Sequence, residues 1–123
     1  MPSSKNRILI VDDNRDIGAC IADMLGWFEV ECEMVSGGEE AIDLLGKNEY
    51  CLVIADTQMP RVSGFDLLKH IKKNYPETQV AMISSRNSDM TQGLIVKSDA
   101  DFYIPKPITL SDVKKLIRAT VRF

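Results

Sequence analysis

Three short runs of apolar residues constrain this chain most: Ile8-Leu9-Ile10-Val11, Leu52-Val53-Ile54-Ala55 and Val80-Ala81-Met82-Ile83. Each is unbroken, is too short for an ordinary helix and stops abruptly at a polar residue. Such runs suit strands buried on both faces, as in a parallel sheet covered by helices. Phe102-Tyr103-Ile104, stopped by Pro105-Lys106-Pro107, supplies another strand. Val30, Cys32 and Met34 alternate with Glu31 and Glu33, the pattern of a strand nearer a sheet edge.

Helical periodicity fills the intervals. Ile17, Cys20, Ile21, Met24 and Leu25 share one face, behind the acceptors Asp12, Asp13 and Asn14, and Gly26 is expected to close that helix. Ser36 and Glu39 have the form of a capping box ahead of Ala41, Leu44 and Leu45. Pro60 and Gly64 bracket a turn, after which Phe65, Leu68 and Ile71 line a helix stopped by Pro76. Met90, Leu94 and Lys97 can share a face, but Gly93 and many short polar residues weaken the helix there. Thr109 and Asp112 repeat the capping pattern before the face Leu110, Val113, Leu116 and Ile117. Strand and helix thus alternate five times, which predicts an α/β domain with one parallel sheet covered on both faces. These periodicities leave the spatial order of the strands open.

At 123 residues the chain has room for one hydrophobic core, so residues 1–123 are expected to form a single domain. Nothing approaches the roughly 18 consecutive apolar residues of a membrane helix, and the apolar run after the N-terminus is too short for a secretory signal. A cytoplasmic location without membrane insertion is the expectation. The net charge of −3 argues against nucleic acid as a direct partner. Cys20, Cys32 and Cys51 lie inside apolar runs and read as buried thiols; His70 reads as a surface residue.

In a parallel sheet all strand C-termini emerge at one edge, where ligands bind in open α/β folds. That edge collects Asp12 and Asp13 after the first strand, Asp56 after the third, Ser84 after the fourth and Lys106 after the fifth. Taken singly, each has an ordinary explanation as a helix cap, a turn former or a solubilising charge. Together they describe other chemistry. Three carboxylates repel unless a cation compensates, and hard oxygen ligands suit Mg²⁺. Lys106 adds a fixed positive charge. The group resembles a phosphoryl-transfer site in which one carboxylate attacks phosphorus while the cations neutralise its oxygens.

Four segments in order carry a close resemblance to the response-regulator receiver family of two-component signalling. They are Ile8-Leu9-Ile10-Val11-Asp12-Asp13-Asn14; Ile54-Ala55-Asp56-Thr57-Gln58-Met59-Pro60 with Gly64; Met82-Ile83-Ser84-Ser85; and Ala100-Asp101-Phe102-Tyr103-Ile104-Pro105-Lys106-Pro107. The resemblance runs from about Arg7 to the C-terminus. It implies a flavodoxin-like (βα)5 three-layer sandwich with strand order 2-1-3-4-5. It also implies that Asp56 accepts the phosphoryl group and binds Mg²⁺ with Asp12, Asp13 and the backbone carbonyl of Gln58. Asp13 would be the more direct ligand and Asp12 would act through water. Ser84 and Lys106 would contact the phosphoryl group, Tyr103 would be the switch aromatic, and the bond from Lys106 to Pro107 would be cis.

The implied donor is a histidine kinase or a phosphotransfer protein, and the implied output is altered binding of a further, unidentified protein. On this reading the protein is a regulatory phosphoacceptor with self-phosphorylating and self-dephosphorylating chemistry, not an enzyme of metabolites. Ser63, Asp99 and Pro105 depart from the family's usual residues, while Gln58 and Arg86 stand at variable positions flanking the pocket. Two rivals stay open: a phosphorylation-independent interaction scaffold that retains the acidic pocket, and a flavodoxin-like cofactor enzyme.

Overall fold

The computed structural model describes residues 6–84 and 100–121. Five strands, β1 (Ile8–Val11), β2 (Cys32–Val35), β3 (Leu52–Asp56), β4 (Gln79–Ser84) and β5 (Phe102–Pro105), form one sheet in the order β2-β1-β3-β4-β5. Every pairing is parallel. Four helices lie among the described residues: α1 (Arg15–Trp27), α2 (Gly38–Leu45), α3 (Gly64–Asn74) and α4 (Leu110–Thr120). The expected helix over 87–97, together with Ser85, Arg86 and Asp99, lies outside the described residues.

The unbroken apolar runs are explained by burial on both sides of the sheet. In β1, Ile8 and Ile10 join Ile21 and Leu25 of α1 and Val113, Leu116 and Ile117 of α4 in one core. Leu9 and Val11 point the other way, toward Ala41 of α2 and Leu67, Leu68 and Ile71 of α3. This is the three-layer flavodoxin-like sandwich, and it leaves β2 at one edge and β5 at the other. No helix among the described residues is long and apolar enough to cross a membrane.

Local chemistry sets the helix starts. The Asn14 side chain accepts from the N–H groups of Asp16 and Ile17, while Ser63 with Asp66 and Thr109 with Asp112 form complete capping boxes on α3 and α4. The expected box at Ser36 and Glu39 does not form. Gly37 is the N-cap of α2 without a side-chain bond, and the Ser36 hydroxyl donates to Glu40 instead, at 2.9 Å. Gly38, the first residue of α2, meets the β3–α3 loop, where an added Cβ would sit 2.7 Å from the Val62 Cβ.

Other expectations also need correction. α1 runs past Gly26 to Trp27, and Glu29, not a glycine, takes the left-handed conformation at φ 59°. Leu110 is exposed because it begins α4 ahead of the buried stripe, and Cys20 is exposed on the outer side of α1. His70 is half-buried beside Tyr75, with Asn74 bonded to its ring.

Arg61, in the loop after β3, also has a left-handed backbone, at φ 68°. A side chain there carries strain that glycine lacks. Arg61→Gly is expected to stabilise the protein by about 1 kcal/mol, read as a higher urea midpoint at unchanged slope.

Candidate functional site

The carboxyl edge of the sheet brings Asp12, Asp13 and Asp56 together, with one carboxylate oxygen of each lying within 4.8 Å of the others. Asp12 and Asp13 follow β1, and Asp56 ends the adjacent β3, so the sheet itself sets their approach. Asp12 and Asp56 are buried, whereas Asp13 is exposed at the mouth. Lys106, directly after β5, reaches across β4. Its Nζ donates to Asp56 Oδ2 at 2.8 Å and stands 3.9 Å from Asp12 Oδ2.

Two carboxylate oxygens are held by the backbone: Asn14 N–H donates to Asp12 Oδ1 at 2.9 Å, and Gln58 N–H to Asp56 Oδ1 at 3.0 Å. Asp12 Oδ2 is buried and lacks a hydrogen-bond partner among the described residues. Burial pushes the Asp12 carboxyl above its usual range; Asn14 and Lys106 oppose that rise, and the Asp56 and Asp13 charges add to it. An orphaned carboxylate oxygen beside two more carboxylates, facing one lysine, fits a hard divalent cation bound through oxygen.

Close backbone packing aims Asp56. Gly64, the first residue of α3, lies against the carbonyl of Asp56, and an added Cβ would stand 2.8 Å from Thr57 Cα. Gly64 N–H donates to the Thr57 carbonyl and Thr57 N–H to the Ile83 carbonyl, which ties the loop to α3 and β4. The Thr57 hydroxyl is buried without a partner among the described residues. Thr57→Val keeps the shape and removes that unsatisfied group, so it is expected to raise stability by about 1 kcal/mol. An unchanged or lower melting temperature would contradict this.

Ser84 is fully buried at the end of β4, and its hydroxyl donates to the Tyr103 hydroxyl at 3.0 Å. Tyr103 itself remains 37% exposed. The Lys106–Pro107 peptide is cis. The edge thus gathers Asp12, Asp13, Asp56 and Lys106 into direct proximity, and separately joins Ser84 to Tyr103. Gln58 contributes its backbone at the rim. In the sequence Gly64 marks a turn; its contact with the backbone of residues 56 and 57 is a tertiary fact. A groove of about 1080 Å³ lies at the opposite edge near Tyr50, Thr78 and Thr120, and contains none of these groups.

Comparison with known proteins agrees with this arrangement. The family model described as the response regulator receiver domain matches residues 8–118. The chain is 31% identical over 119 residues to the response regulator protein PilR of Pseudomonas aeruginosa, covering 97% of this chain and 27% of that protein. It is 32% identical over 117 residues to the transcriptional regulatory protein CpxR of Escherichia coli, covering 95% of this chain and 50% of that protein. It therefore spans half or less of either relative's length. Among solved structures, a response regulator receiver domain protein from Clostridium thermocellum superposes with a TM-score of 0.83 at 30% identity, covering 92% of this chain and 91% of that one. A CheY-like receiver domain protein from Methanospirillum hungatei gives 0.84 at 26%, covering 93% and 91%. With its sheet order, its acidic edge and a match over nearly its whole length, this chain belongs to the response regulator receiver domain family.

Proposed function

We propose that this domain is a phosphorylation-controlled switch in which Asp56 takes a phosphoryl group from a phosphohistidine of a histidine kinase or phosphotransfer protein. The observation that carries this reading is the 2.8 Å contact of Lys106 with Asp56 inside the acid cluster. An Asp56 oxygen attacks phosphorus, the phosphorus–nitrogen bond breaks, and the imidazole nitrogen leaves with the electron pair. Lys106 offsets negative charge on the phosphoryl oxygens as they approach a pocket that is otherwise anionic. Mg²⁺, held by Asp12, Asp13, Asp56 and the Gln58 carbonyl, would supply the remaining charge compensation.

After transfer, the Ser84 hydroxyl turns from Tyr103 to the phosphoryl group, and Tyr103 then moves inward from its half-exposed position. The surface around β5 and α4 changes with it, and with it the affinity for a downstream protein. Water hydrolyses the acyl phosphate and resets the domain, so the chemistry serves regulation in the cytoplasm. Incubation with Mg²⁺ and acetyl phosphate, read by intact-protein mass, tests the proposal. A gain of one phosphoryl group supports it, and no gain across competent donors favours a phosphorylation-independent scaffold.

Divalent binding has its own pH signature. Because the folded Asp12 carboxyl holds its proton to higher pH than it does unfolded, Asp12 costs stability as pH rises from the ordinary carboxylate range through its raised value. Mg²⁺ is expected to raise the melting temperature by an increment that grows over the same rise in pH. Asp12→Asn flattens the metal-free slope and shrinks the increment. An increment independent of pH would contradict this assignment.

A further inference from the structure

Outside the acid cluster, one charged arrangement acts on the strand that carries Lys106. Among the described residues, β5 is a four-residue edge strand paired only with β4, and it ends in Pro105, which has no N–H to donate. Residue 101 grips β4 just before that strand begins. Asp101 N–H donates to the Val80 carbonyl at 2.9 Å, and Val80 N–H donates back to the Asp101 carboxylate at 2.8 Å. The carboxylate stands in for a strand carbonyl and satisfies an N–H on a residue that is completely buried. Its charge is met by Lys72 of α3, whose Nζ lies 2.6 Å away and also reaches the Thr78 carbonyl at 3.4 Å. At the other end of β5, Lys106 N–H donates to the Ser84 carbonyl at 2.7 Å.

We infer that Asp101, clamped by Lys72, is a positioning residue for Lys106: it sets the register of β5 on β4 and so the approach of the Lys106 ammonium to Asp56. Register decides which face each side chain of a strand takes, and a slip of one residue reverses all of them. A short edge strand with a terminal proline resists such a slip weakly by its own ladder. The two-point grip on Val80 supplies the missing resistance, and charge-assisted bonds are the stronger kind. Asp101 touches neither Asp12 nor Asp56, so its effect on chemistry passes through the strand. This inference rests on the proposed phosphoryl uptake by Asp56.

The test is a double-mutant cycle on the full chain, with Mg²⁺ and acetyl phosphate as the probe and uptake timed by intact mass. Asp101→Ala is expected to slow uptake on the order of threefold or more and to leave the Mg²⁺ concentration for half-maximal rate unchanged. In a Lys106→Ala background the same change has no further effect. Asp101→Asn keeps an acceptor for Val80 N–H and recovers most of the rate. Equal rates for wild type and Asp101→Ala, or the same slowing in both backgrounds, overturn the inference. If Asp101→Ala loses its folded circular dichroism, Lys72→Met and Asp101→Asn are compared in the same cycle. Hydrogen exchange at the Lys106 amide gives a reading independent of phosphate. Faster exchange in the variants is expected, and unchanged protection overturns the inference. Failure of wild type to take up phosphate overturns the proposed function, which the exchange measurement distinguishes from failure of the positioning role.

Discussion

Asp56→Asn protein is expected to take up no phosphoryl group under conditions in which the wild type gains one, and to remain folded. The proposed acceptor oxygen belongs to a carboxylate that is 6% exposed, backed by the Gln58 N–H on one oxygen and the Lys106 ammonium on the other. An amide of the same shape keeps an acceptor for Gln58 but is a far weaker nucleophile, so the chemical step is lost. It also removes one of three crowded negative charges, and the fold is relieved of repulsion even as Lys106 loses its nearest partner. Intact mass reports the chemistry and circular dichroism the fold. Residual uptake at the wild-type rate would place the acceptor elsewhere.

Gly64→Ala is expected to have the largest effect on stability, about 3 kcal/mol, or a fall of roughly 10 °C in melting temperature. The new methyl meets the backbone of Asp56 and Thr57, and backbone cannot rotate aside as a side chain does. Relief requires α3 to back away from β3, which breaks the bond from Gly64 N–H to the Thr57 carbonyl and moves the acceptor. Uptake therefore falls along with stability. Gly26→Ala is the control, because nothing lies within 4 Å of a Cβ added there. Alanine favours a helix over glycine, so Gly26→Ala is expected to cost nothing, and similar losses at both positions would overturn the assignment of the cost to the crowded backbone at Gly64.

The elements and the acidic site were legible because their causes are local or follow from the rules of parallel sheets. Ile8–Val11, Leu52–Ala55 and Val80–Ile83 have the composition of doubly covered strands, and parallel strands bring their ends to a common edge. Asp13, Asp56 and Lys106 could therefore be placed together before any coordinates. Strand order came only through family resemblance, since periodicity carries no information about neighbours. Features that depend on three-dimensional approach stayed hidden. Nothing near Ser36 signals that Val62 crowds Gly38, and nothing near Asp101 signals that its carboxylate meets Val80 N–H and Lys72. Leu110 and Cys20 were misplaced for a related reason: an apolar residue at a helix start or on its outer face matches the pattern without reaching the core.

The acidic trio comes from the first and third strands, and its lysine follows the last. The lysine that offsets the cluster thus lies 50 residues beyond Asp56 in the chain. Only with β5 docked beside β4 does the Lys106 ammonium reach Asp56, so the charge balance of the cluster hangs on an edge strand. Loosening that edge alone would leave three carboxylates facing one another without their counter-charge.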